Sequence, residues 1–204
     1  MKKIFFSILA LSVFISGCAS TQKMSSTDRQ NLTNVKISTE VEKAPEMYYL
    51  GPGIGMFFGA IGGAITAISQ GPAKNSLQAF AEDNNIHIEQ IVLEEANKAF
   101  KQSGKLSIIE NQNIHSTSLN IEVSQYGFSI PNGFSSKLVP IVRIKCSLVD
   151  TLGKTIWSSN DYVTTLGNPA EASSMDELKN NPKLIEDSWR VASKTILANI
   201  VKNL

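Results

Sequence analysis

The sequence predicts an α+β fold: a mainly antiparallel sheet of four to five strands with two helices packed on one face. Three observations carry that expectation. Short segments that alternate apolar and polar residues recur between positions 35 and 158. Two stretches, at 88–100 and 185–200, instead repeat their apolar residues at helical spacing. Asp150-Thr151-Leu152-Gly153-Lys154 separates two alternating segments as a glycine-containing hairpin turn. Grouped strands flanked by separated helices give an antiparallel sheet rather than a βαβ series.

Taken in order, Val35-Lys36-Ile37-Ser38-Thr39 alternates with period two and forms the first strand, which Pro45 interrupts. Asp83-Asn84-Asn85 supplies N-cap candidates for a helix whose Ile88, Ile91, Val92, Ala96, Ala99 and Phe100 share one face. Ser103-Gly104 closes it at a left-handed cap. Leu106-Ser107-Ile108-Ile109 reads as a strand, and Leu119, Ile121 and Val123 alternate with polar residues in the next. The longest strand covers 139–149 and turns into Thr155-Ile156-Trp157-Ser158. Asn181 before Pro182 caps the last helix, with Pro suited to its first turn. That helix aligns Ile185, Trp189, Ala192, Ile196 and Ile200. Helices on one face leave the other to be solvated, covered by an apolar segment, or used for partners. Arg143, Lys145 and Ser147 point to that side, while Cys146 alternates with Val142, Ile144 and Leu148 as a buried, inert thiol.

The amino terminus is a different kind of segment. Lys2 and Lys3 precede an apolar run over 4–15 that ends in Ile15-Ser16-Gly17-Cys18. The run is shorter than the roughly 20 residues that a membrane span needs. The four-residue ending resembles a bacterial lipobox. That resemblance implies cleavage after residue 17, a diacylglyceryl group on the Cys18 thiol, and an acyl chain such as palmitate on the new amine. Two or more chains make a lasting membrane anchor. Ala19, rather than Asp, follows the cysteine; in lipoprotein sorting this implies the outer membrane, facing the periplasm. The expected organisation is a signal peptide at 1–17, a flexible lipidated tether at 18–33, and a single periplasmic domain at 34–204.

Charge excludes some partners. The chain has 19 basic and 18 acidic side chains, and two of the basic ones, Lys2 and Lys3, belong to the leader. The mature protein is therefore close to neutral, with no basic footprint for nucleic acid. With Cys18 lipidated, Cys146 is the one remaining thiol, so no intrachain disulfide forms.

Within the domain, 51–71 is set apart. No charge occurs from 47 to 73, and Gly51, Gly55, Gly59, Gly63 and Ala67 recur at every fourth position. In a helix this spacing makes a flat stripe against which another helix can approach closely. Each glycine costs a helix roughly 0.8–1.0 kcal/mol, so the segment needs a partner or lipid to be helical. Three readings stand side by side: a glycine-rich apolar loop over one edge of the domain, a helix that self-associates or dips into the bilayer, and a full span. The sixteen residues 53–68 would reach only about 24 Å, short of a hydrocarbon core of roughly 30 Å.

From residue 85 onward the order of elements resembles the periplasmic domains of the curli-secretion lipoprotein type and the amino-terminal domain of TolB. The motifs that carry the resemblance are Ser103-Gly104-Lys105-Leu106-Ser107-Ile108-Ile109, the strand through Ile121 and Val123, and Ser147-Leu148-Val149-Asp150-Thr151-Leu152-Gly153-Lys154-Thr155-Ile156-Trp157. It implies an accessory component of envelope assembly or transport. The glycine segment departs from that pattern, and no counterpart of channel-forming strands is present.

Catalytic and metal motifs are missing from the sequence. His87 and His115 lack a metal-ligand spacing, and no nucleophile elbow, phosphate loop or dinucleotide fingerprint occurs. Glu94-Glu95 and Asp176-Glu177 read as solvated helix faces. The expectation is a non-catalytic outer-membrane lipoprotein without cofactor or metal. It would contact the membrane through its lipid and bind an envelope protein or further copies of itself. A carrier of lipid or another apolar small molecule, using Phe57, Phe58 and the open sheet face, is the alternative. A hydrolase of the cell envelope is the third reading.

Overall fold

The computed structural model describes residues 21–51, 71–110, 116–133 and 135–204. It is an α+β domain, as its sequence predicts. The described residues form six strands, β1 (Val35–Lys43), β2 (Tyr48–Leu50), β3 (Thr117–Ser129), β4 (Lys137–Val149), β5 (Thr155–Val163) and β6 (Ser173–Ser174). The main path across the sheet is β1-β3-β4-β5. The β3–β4 and β4–β5 pairs are antiparallel, while β1 and β2 lie one after the other, parallel to β3, along its far edge. The short β6 pairs with the start of β4.

The sheet has two distinct ends. At one end β2, β3 and β5 finish and β4 begins; this is the Leu50 end. At the other, β1 begins and the β4–β5 hairpin turns, and this is the turn end. Gly153 there has a φ of +80°, and the Asp150 carboxylate accepts from the backbone N–H groups of Leu152 and Lys154 at 2.9 Å each. The glycine and the Asx-type contacts are what a tight turn requires.

Two long helices, α3 (Ile88–Ser103) and α5 (Lys183–Lys202), pack together over one face of the sheet. The apolar stripe of α5, Ile185, Trp189, Ala192, Ile196 and Ile200, is buried over β4 with its Val142, Ile144, Cys146 and Leu148, and that of α3, Ile91, Val92, Ala96 and Phe100, lies over β1 and β3, all in one core cluster. The helical and strand periodicities of the sequence thus meet in one core. Gly104 closes α3 with a φ of +63°, in the left-handed region.

Other elements differ from expectation. A third helix, α2 (Gly71–Asp83), precedes α3. Asp83 consequently ends α2, and Asn84 and Asn85 form the link between two helices rather than an N-cap; His87 holds the capping position of α3 without a side-chain bond. Asn85 makes the link with a φ of +57°, a conformation Asn tolerates better than most residues. Residues 106–109 are not a strand: Ile108 makes a single bridge to Val35, because β1 takes β3 as its continuous partner. Asn181 closes the short helix α4 (Met175–Asn180), and Pro182, already at helical angles, leads directly into α5.

The boundary at residue 34 is also displaced. Helix α1 (Ser26–Asn31) lies inside the expected tether, with Ser25 as its side-chain cap. Gln22 bridges Ser158 on the free edge of β5 through two backbone bonds of 2.9 and 3.0 Å, and Met24 and Leu32 pack on the core. Polar composition concealed this attachment, which main-chain bonds and two apolar side chains supply. Only three residues separate Cys18 from Gln22.

Candidate functional site

The exposed face of the sheet is built by the out-facing half of the strand alternation. Arg143, Lys145 and Ser147 lie on it, as the sequence predicts. Lys145 pairs with Glu122 of β3 at 3.4 Å, and the Arg143 guanidinium lies 4.9 Å from the centre of the Tyr162 ring on β5. Gln125, Asn120 and Asn160 sit opposite these residues in register. This is a ladder of polar cross-strand pairs with one cation–π contact, and it is held open to solvent. Towards the Leu50 end the character of the face changes: Val139 and Ile141 are buried there, yet they stand apart from the core cluster under the helices.

Cys146 lies on the opposite, core side, fully buried between Ile121 and Ser159 in register. Burial pushes its thiol pKa up to about 12, so the thiolate does not form near neutrality. It is an inert core residue.

Beneath α2, a cavity of about 10 Å³ is lined by Lys43, Gln78, Glu82, Tyr126 and Trp189 with several apolar neighbours. That is room for roughly one water molecule. The Tyr126 hydroxyl makes no hydrogen bond to the protein. Its pKa is pushed up to about 12, first by burial and then by the negative charges of Glu82 and Glu89. Gln78 stitches the cavity's rim by accepting from Met47 N–H at 2.9 Å. Lys43 pairs with Glu89 at 3.1 Å, and His87 Nδ1 is 3.8 Å from the same carboxylate. The space cannot admit an acyl chain.

The acidic pairs are not simple solvated faces. Glu95 is buried between α3 and α5, held by Lys98 at 2.8 Å and by Arg190 at 2.9 Å. Arg190 also binds Glu94 and Glu186, each at 2.7 Å. Burial alone would raise the Glu95 pKa, but the hydrogen bonds from Lys98 and Arg190 outweigh it and leave the carboxyl below its ordinary value. Glu177 completes a capping box with Ser174 at the start of α4. Helix spacing showed that these carboxylates share a surface; it could not show that Arg190 on another helix would meet them. Among the described residues no group of three or more His, Cys, Asp or Glu side chains is placed to hold a metal, and no helix is long and apolar enough to cross a membrane.

Of the residues singled out for membrane or self-contact, Cys18, Gly55, Gly59, Gly63 and Ala67 lie outside the described residues, as do Phe57, Phe58 and His115. Gly51 is described. A Cβ there would press on the Tyr49 ring and lie 2.8 Å from Leu138 Cδ2, so any larger residue would have to displace the outer ends of these two side chains.

No family model matches the chain, and no curated protein sequence matches it. Among solved structures it is similar to protein XCC0632 from Xanthomonas campestris, of the DUF330 family, at 12% identity and a TM-score of 0.45, over 83% of this chain and 81% of that one. It is also similar to PelC from Paraburkholderia phytofirmans, solved as a dodecamer, at 11% identity and a TM-score of 0.42, over 91% and 96% of the two chains. A single-substitution variant of that PelC, also a dodecamer, gives 10% identity and a TM-score of 0.38, over 90% and 93%.

Proposed function

We propose that this protein is a non-catalytic lipoprotein of the outer membrane, anchored through Cys18 and facing the periplasm, which serves as an accessory component of envelope assembly or transport through protein–protein contacts. The observation that carries this reading is Ile15-Ser16-Gly17-Cys18 behind a lysine-led apolar run. Several features support it. Near-neutral charge argues against nucleic acid as a partner. The cavity under α2 has no room for a lipid or a sizeable substrate. Cys146 is unreactive, and Glu95 and Arg190 are occupied in joining two helices. Gly55, Gly59, Gly63 and Ala67 would add self-association or membrane contact.

The test is the fate of the wild type and of Cys18→Ser in fractionated envelopes, with the intact mass of each. The wild type should sediment with the outer membrane and carry the mass of a diacylglyceryl group and an added acyl chain; Cys18→Ser should carry neither. A wild type that is recovered unmodified in the soluble periplasm would overturn the reading. Comparing the sedimentation of purified wild type with Gly59→Leu then asks whether the glycine stripe joins copies of the chain.

A further inference from the structure

We propose that the Leu50 end of the sheet is the surface the domain lays against a lipid bilayer. This proposal rests on the lipid anchor proposed above. It comes from the way the chain leaves the domain and from what stands exposed there.

Gln22 is antiparallel to β5, so the chain's amino-terminal direction at that point is toward Tyr162 and away from the hairpin turn. Four residues from Gln22 back to Cys18 reach at most about 14 Å, which is the rise of a strand from Ser158 to Tyr162. A lipid on Cys18 therefore holds the domain close to the membrane, and the direction at Gln22 favours the Leu50 end. Strand β2, parallel to β3, also finishes at this end, opposite Ser129.

The exposed side chains agree. Leu166 is 85% exposed, Tyr162 53% and Leu50 42%, and all three belong to this end. The two loops here, 130–136 and 164–170, contain no charged residue in their sequence; Lys137 and Glu171 border them, Glu177 stands beside Lys137 at the start of α4, and Arg143 lies under the Tyr162 ring. The turn end is the reverse. Leu152 is 90% exposed there, but Asp150 and Lys154 flank it, and Asp28, Arg29, Lys105 and Lys202 surround the same end. Uncharged loops with exposed leucine and an amphipathic tyrosine suit the boundary between headgroups and acyl chains. A ring of fixed charges does not.

The experiment uses the full mature lipidated protein in vesicles of phosphatidylethanolamine and phosphatidylglycerol that contain doxyl-labelled lipid. Leu166→Cys and Leu152→Cys each introduce an exposed thiol for an environment-sensitive fluorophore, and buried Cys146 stays unlabelled. Flotation of each protein with the vesicles is recorded first. The label at 166 should shift to the blue and lose most of its emission to the doxyl lipid, while the label at 152 should keep its aqueous emission. Flotation with equal quenching at both sites, or with stronger quenching at 152, overturns the orientation and leaves the anchor standing. A protein that does not float removes the anchor and the orientation together.

Discussion

At the turn end polar contacts tie α1 and the segment after α3 to the end of α5, whereas at the Leu50 end close aromatic packing holds the strands and the loops 130–136 and 164–170 carry no charge. At the turn end, Arg29 Nη2 donates to the Leu204 carbonyl at 2.6 Å, and Lys105 Nζ to the Val201 and Lys202 carbonyls at 3.0 and 3.2 Å. Trp157 Nε1 donates to the Asn203 carbonyl at 3.4 Å. The bonds to Val201, Lys202 and Asn203 answer carbonyls that regular helical bonding leaves unpaired at the carboxy terminus of α5, and Arg29 holds the residue just beyond it. At the Leu50 end Trp189 stands edge-on to Tyr126 at 5.7 Å and lies 5.8 Å from Phe128. Gly127 lets Tyr48 of β2 approach the backbone of β3. One sheet thus carries two kinds of end: one built of backbone and charge, the other of packed rings beside two loops whose own residues are uncharged.

Substitutions at the aromatic end should cost most. Trp189→Ala removes a buried indole and should lower unfolding stability by about 3–5 kcal/mol in urea titrations. Gly127→Ala comes next. Its φ is +143°, and a Cβ would collide with the Tyr48 backbone, 2.9 Å from its nitrogen. The expected loss is about 1–3 kcal/mol, with accelerated amide exchange in β2 as its signature. If Gly127→Ala kept full stability and β2 protection, close packing would not be what holds this end.

Between the ends lies the Arg190 cluster. Arg190→Ala should cost roughly 1.5–3 kcal/mol through lost charge-assisted bonds. Because the folded pKa of Glu95 is depressed, its contribution is present above the unfolded carboxyl value of 4.5 and is lost as pH falls through the folded value. The stability difference between wild type and Glu95→Gln should therefore be largest near neutrality and shrink as the solution is acidified, as read by urea titrations at several pH values. Arg29→Ala, at the polar end, should cost about 1 kcal/mol. Leu166→Ser, on the exposed loop, should change stability by no more than about 0.5 kcal/mol, and it separates a surface role from a structural one.

The parts of this fold that were legible in the sequence are those whose partners lie along one element. The alternation of Val142, Ile144, Cys146 and Leu148, the cap at Gly104 and the turn at Gly153 follow from local periodicity and backbone conformation. The attachment of Gln22 to β5 was not legible, since a backbone bond between residues 136 positions apart leaves no mark on side-chain composition. Helix α2 had signals in Pro72 near its start and in Leu77 and Ala81 four apart, but they stand next to a run dominated by glycine. Arg190 reached Glu94 and Glu95 only through the packing of α5 on α3. As to the candidate site, the out-facing Arg143, Lys145 and Ser147 were legible. The contrast between the two ends was not, because it depends on strand directions that bring 130–136 and 164–170 together.

The most direct test of that contrast is amide hydrogen exchange of the lipidated protein on vesicles, compared with Cys18→Ser free in solution. Added protection is expected in the loops 130–136 and 164–170 and none in 150–154. Protection gained at 150–154 with the other two loops unchanged would contradict it.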